Sequence, residues 1–252
     1  MTDFMQRYDQ RADGLVLAVG TVVGTALLEC LSLKDVRGVL SQRPAHGGGK
    51  ATYTAAWALN LVNHIGIGAP VLGIAAPFLS SPPRPTAERV IGVLLICFIH
   101  ALVYYVAHAA MHTQRFWWMH RFHHRFHTHV TPVSASAVHP AEYVFAYASP
   151  FLAAIYVGRP DRVSILVGTA ILSFANLLVH MPRLEKLAAT WVPRWIVGTD
   201  DHLNHHRKIN THFASPTFNI DYITSDRPVF AVCILLCLLA ARAVADIHQI
   251  IN

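Results

Sequence analysis

The sequence holds 17 histidines, and eight of them fall in three short clusters. HAAMH carries His108 and His112, HRFHH carries His120, His123 and His124, and HLNHH carries His202, His205 and His206. Spacings of three and four residues place side chains on one helix face. Read as helices, the clusters each present two or three imidazoles in one direction. Neutral imidazole binds zinc, copper, iron and nickel, and three such elements can hold two metal ions. Between the clusters lie His180, in LLVHMP, a candidate ligand, and His139, in VHPAE, a candidate ligand or hydrogen-bond partner of one. His127 continues the stripe of the second cluster and fits behind the ligands or on the surface. A basic interfacial surface is the alternative reading of the clusters.

Acids near the histidines are few: Glu142, Asp200 and Asp201. Soluble di-metal bundles rely mainly on carboxylates, so this ligand set is mostly imidazole. The acids fit as acceptors that orient ring N–H groups. Asp200 and Asp201 fit equally as caps for the helix bearing HLNHH. Cys30, Cys97, Cys233 and Cys237 all lie in apolar runs, and none forms a thiolate pair beside the histidines.

The elements that must position these residues are apolar. The chain has 252 residues, is 54% hydrophobic and has a mean hydropathy of +0.39. Charged residues make up 13%, against about 25% in soluble domains. Apolar runs occupy Gly14–Leu33, Thr54–Leu79, Arg89–Ala107, Tyr143–Val157, Val163–Val179 and Pro228–Ala245. Most approach the roughly 20 residues a spanning helix needs. GRPDR alone separates the fourth and fifth, which read as a tight hairpin. The first is long for a signal peptide and no cleavage site follows it, so it is expected to stay as a helix. Arg43–Gly49 reads as a loop. The expectation is one all-α integral membrane domain over 1–252, a bundle of about four to six transmembrane helices, with N-terminal helices at 14–33 and 54–79, a core at about 88–222 and a last helix at 228–245.

With six spans, all the clusters emerge on one membrane face together with the loop Lys34–Lys50. That face carries the larger share of the lysines and arginines, so the positive-inside rule makes it cytoplasmic, in a bacterial inner membrane or the endoplasmic reticulum. The net charge of +6 then reflects loops facing anionic lipid rather than nucleic acid. Arg121, Phe122, Arg125 and Phe126, after Trp117 and Trp118, would anchor the second cluster at the headgroup level. His100 and Tyr104 share a helix face with His108, deeper in the bilayer. They either line a lipid tunnel or make a helix–helix hydrogen bond.

The ordered set HxxxH, HxxHH and HxxHH resembles the fatty acid hydroxylase/sterol desaturase superfamily of membrane di-iron enzymes. The resemblance covers roughly residues 100–221. HRFHHRFHTHVTPVSASAVHPAE is similar to the family's second box, its Thr-Pro turn and its His-Pro-x-Glu element. His180 and the stretch leading to HLNHH are similar to the lone histidine before the last box. KINTHFASPTFNIDYI departs from the family's usual continuation. The resemblance implies that His108, His112, His120, His123, His124, His202, His205 and His206, with His139 and His180, bind two irons, which zinc can replace on purification. It implies oxygen-dependent hydroxylation or desaturation of a fatty acyl, sphingoid or sterol C–H bond. No haem, flavin, nicotinamide or iron–sulfur motif is present, so a separate cytochrome b5-like or ferredoxin-like donor is implied, suited to Arg121, Arg125, Arg194, Arg207 and Lys208. Carotenoid hydroxylation or ketolation would use similar boxes. A metal transporter is the alternative without catalysis.

Overall fold

The computed structural model describes residues 2–42, 48–127, 129–225 and 227–251, with side chains for all of these but 2–11, 228 and 247–251. The expected loop at Arg43–Gly49 falls mostly outside the described residues, as do His46 and the His248 side chain. The fold is 78% helical, without strands among the described residues. Its long elements are α1 (Thr2–Leu31), α2 (Leu33–Ser41), α3 (Lys50–Leu79) and α4 (Thr86–Met111). After these come the short α5 (Trp117–His120), α6 (140–158) and α7 (Arg162–Val179). Then follow α8 (Glu185–Trp191), α9 (Thr199–Arg207), α10 (Ile220–Thr224) and α11 (Pro228–Ile251). Among the described residues, five stretches are long and apolar enough to cross a membrane: Ala12–Leu31, Lys50–Leu79, Thr86–Met111, Arg162–Val179 and Val229–Asp246. The run Tyr143–Val157, inside α6, is not among them.

The hairpin differs from expectation in its packing. Its connection is tight: Arg159 adopts a left-handed φ of 42°, and Asp161 caps α7 by accepting the Ser164 N–H at 2.9 Å. Both arms pack on α4 rather than chiefly on each other. Ile96 and Ile99 of α4 bury against Phe151, Ala154 and Ile155 of α6 and Ile165 and Leu172 of α7. An ion pair between Arg89 and Asp161, 2.7 Å long, ties the start of α4 to the connection. Thus α4 is the axis around which α6, α7 and α11 gather, and its C-terminal end delivers His108.

The second histidine cluster is not one α-helix. After α5 the chain turns and continues as a 3₁₀ segment, His123–Phe126. A second 3₁₀ segment, Pro132–Ser136, follows. Such short tight turns arise where tertiary contacts override the α-helical repeat. Phe126, Val133 and Ala137 pack with Val39 and Ala56, which holds both turns against α2 and α3.

A buried acid of α1 fixes this arrangement. Glu29 accepts hydrogen bonds from the Val133 N–H and the Tyr53 hydroxyl, both at 2.6 Å. It thereby clamps the Pro132–Ser136 turn to α1 and α3. The expected outcome of Glu29→Ala is a loss of about 1–3 kcal/mol, because a buried N–H and hydroxyl lose their acceptor. Thermal unfolding in detergent, beside the conservative Glu29→Gln, checks this.

Candidate metal centre

The histidines form two groups in which the candidate ligand atoms all lie within 4.8 Å of one another. His108, His112, His120, His124 and His205 make the first, and His123, His180, His202 and His206 the second. The rings of one box therefore do not converge on one point. In each HxxHH box the first and last histidines, four apart, serve one group while the middle one serves the other. The second box sends His120 and His124 to the first group and His123 to the second. The third box sends His202 and His206 to the second group and His205 to the first. The boxes interlock, so neither group forms without both. The groups are adjacent: His124 lies 5.1 Å from His206, and His120 5.2 Å from His123, between ring centroids.

Backbone carbonyls orient four of the rings. Nδ1 of His108 bonds to the Phe213 carbonyl at 2.8 Å, and that of His123 to Ser134 at 3.1 Å. His180 uses the Asn176 carbonyl and His205 that of Thr211, both at 2.7 Å. A carbonyl can only accept, so Nδ1 carries the proton and Nε2 presents a lone pair inward. His120 is held by a carboxylate instead, with Nδ1 2.6 Å from Glu142 Oε1 and both side chains fully buried. The inward Nε2 atoms crowd together. His108 to His120 is 3.0 Å, His124 to His120 2.9 Å, His202 to His180 2.9 Å and His206 to His202 3.2 Å. Ligands about 2.1 Å from one ion stand roughly 3.0–3.4 Å apart, so the spacing matches shared coordination.

The electrostatics agree. Burial is the main cause that lowers these rings' pKa values, and neighbouring imidazoles add to it. His180 and His205 are pushed down to about 4, and His112 to about 3. His120, His123, His202 and His206 fall well below 6.5. Neutral rings are the ligand form. His205 Nε2 is buried without a hydrogen-bond partner, an orphaned lone pair that a cation would satisfy. The residues present therefore fit two metal ions. Burial also raises the Glu142 carboxyl well above the usual range.

Other candidates lie elsewhere. His139 joins neither group. It is exposed and accepts the Ala141 N–H at 3.1 Å, capping α6. His127 is exposed. Asp201 faces its own helix start and the Asn219 amide, at 3.2 Å. No hydrogen bond joins Asp200 or Asp201 to a grouped ring among the described residues, because the carbonyls take that part. Trp118 is 50% exposed, whereas Trp117 stacks on His124 at 5.4 Å and forms a wall of the centre. Phe213 adds another wall, 5.1 Å from His112. No sequence pattern marks a carbonyl or these two walls. His100 and Tyr104 line an apolar cavity below the centre.

Three outcomes follow from this geometry. Changing His108, His124 and His205 to alanine leaves the first group two rings and the second group intact, so about one metal ion per chain is expected; changing His123 and His205 removes one ring from each group and weakens both. Plasma mass spectrometry separates the two cases. Glu142→Ala is expected to weaken metal binding by about 10–100-fold, read by chelator competition. Rings neutral when folded titrate near 6.5 once unfolded, so stability is present above about pH 6.5 and falls as pH drops toward about 4. Metal leaves over the same interval. Thermal unfolding of metal-free protein across this range checks the sign, and a midpoint unchanged down to about pH 4 contradicts it.

In a sequence comparison with known families, the model of the fatty acid hydroxylase family matches residues 93–225. Comparisons with curated proteins and with solved structures give no match. The matched segment runs from within α4 to the end of α10 and contains both histidine groups. This chain belongs to the fatty acid hydroxylase family, within the fatty acid hydroxylase/sterol desaturase superfamily.

Proposed function

We propose that the protein is an oxygen-dependent di-iron oxidoreductase of the membrane that hydroxylates or desaturates a C–H bond of a lipid. The observation that carries this reading is the pair of interlocked, buried imidazole groups directly above an apolar cavity, in a family member with five candidate spans. Bound iron would supply the reductive activation of dioxygen needed to attack an unactivated carbon. In the hydroxylation, a C–H group, dioxygen, two electrons and two protons yield an alcohol and water.

The chain's own residues set the conditions for that chemistry. The grouped histidines supply neutral nitrogen ligands, and Glu142 holds the His120 ring in place. Trp117 and Phe213 shield the rings from water. Tyr104 closes the cavity against the centre, its ring 5.1 Å from His108. The ligands lie at and beyond the ends of α4 and α7, not along a path through the mid-membrane, which favours oxidation over transport.

Electrons come from a separate acidic donor of the cytochrome b5 or ferredoxin kind, docking on the face that holds the centre, which we place toward the cytoplasm. Arg121, Arg125, Arg194 and Lys208 are exposed for it. Arg207 is committed to Glu185, with contacts of 2.5 and 2.9 Å, and adds little. Iron-loaded protein in lipid nanodiscs, given a ferredoxin-type reductant and fatty acyl, sphingoid or sterol lipids, is expected to consume oxygen and yield an oxidised lipid. Well-folded protein that binds two irons yet oxidises none of these classes contradicts the reading. Reversing Arg121 and Arg125 to glutamate is expected to slow turnover at low salt and leave metal content unchanged.

A further inference from the structure

The cavity below the histidine centre has a volume of about 110 Å³ and lies among α1, α3, α4, α6 and α7. Three π-helical turns border it: Val62–Gly68 and Val71–Ala75 in α3, and Tyr143–Ala148 in α6. Such turns weaken helix geometry and concentrate at functional sites. Much of the lining is apolar, with Leu17, Leu72, Phe151 and Leu172. A cavity built only for a hydrocarbon would stop there, yet this wall also carries imidazoles and hydroxyls.

Most of those polar groups are already engaged with the protein. His64 Nε2 lies 2.9 Å from Ser136 Oγ, and the Tyr143 hydroxyl 3.3 Å from His64 Nδ1. The Tyr147 hydroxyl and the Asn176 amide both donate to the Ala135 carbonyl, at 2.9 and 3.2 Å. His100 differs. It is 5% exposed, and its Nδ1 is buried with no hydrogen-bond partner. Its ring stacks on Tyr104 at 6.0 Å with an interplanar angle of 13°, so the ring is held firmly in the cavity wall while that nitrogen stays unsatisfied. The ring lines the cavity, and in the middle of a membrane span neither lipid tails nor bulk solvent offers it a hydrogen-bond partner.

We propose that the cavity takes a short segment of a lipid whose apolar body carries a hydroxyl group partway along, and that His100 hydrogen-bonds that hydroxyl. A hydroxyl both donates and accepts, so it serves either tautomer of the ring. His100 precedes His108 by eight residues, about 12 Å along the helix at 1.5 Å per residue. A hydroxyl anchored there decides which part of the chain lies against Tyr104 and the centre, so His100 is a specificity residue that selects an already oxygenated lipid and sets the position of attack. The word substrate here rests on the proposed lipid oxidation; the binding claim stands apart from it.

The test is a binding competition read by native mass spectrometry on detergent-purified protein. The probes are stearic acid and a series of hydroxystearic acids with the hydroxyl walked along the chain. Wild-type protein is expected to retain at least one hydroxy acid about tenfold more strongly than stearic acid, a difference of one decade in Kd. His100→Phe keeps the ring stack and removes both nitrogens; it is expected to bring the series to parity with unchanged stearic acid binding. His100→Gln is expected to restore part of the preference. Thermal midpoint and metal content confirm that the variants are folded. Parity in the wild type overturns the proposal and leaves the ring to a trapped water. So does a preference that survives His100→Phe, or retention of none of these lipids. A positional preference in protein that oxidises no lipid would sink the oxygenase reading and leave this one intact.

Discussion

The constraint on which the structure depends is the burial of many imidazoles with their Nε2 atoms turned toward one another. A carbonyl oxygen behind His108, His123, His180 or His205 leaves the ring one tautomer, and that tautomer aims a lone pair inward. Lone pairs meeting about 3 Å apart in a dry interior repel unless a cation lies between them. The protein thus encloses a strong demand for positive charge. It meets little of this demand itself, since the cationic side chains near the clusters stand on the exterior and burial keeps the rings neutral.

The fold supplies that enclosure from several directions. The end of α4 brings His108, and α9 brings three more rings and buries them against α7. The two 3₁₀ turns fill the remaining side, held by Glu29 from α1. The interlocked boxes make the two groups interdependent, because the middle histidine of each box crosses to the other group. Five candidate spans surround this polar knot with lipid-compatible surface, so the centre lies at the end of a largely apolar bundle with a cavity beneath it.

Much of this was legible in the sequence, and the physical reasons are specific. Length and hydropathy point to the five candidate spans, because a bilayer imposes one thickness on all of them, while the shorter run Tyr143–Val157 falls outside that set. The clusters His108–His112, His120–His124 and His202–His206 stood out because imidazole is rare in apolar sequence. Helical periodicity misled in one respect. It placed the three rings of each box on one face, which is true of Cβ positions but does not decide which ion each ring serves. In the second box the helix itself gives way after His120. The acids were harder still. Glu142 reaches a ring, while Asp201 caps its own helix, and spacing alone does not separate these fates. Carbonyls of Ser134, Asn176, Thr211 and Phe213 carry no side-chain signature, so they emerge only from the folded backbone.

Iron X-ray absorption on the iron-loaded protein tests the central claim most directly. The account predicts a first shell dominated by nitrogen near 2.1 Å, the multiple-scattering pattern of imidazole rings, and a second iron detectable beyond them. A first shell dominated by oxygen, or iron without imidazole scattering, would contradict the claim that these two histidine groups form the metal centre.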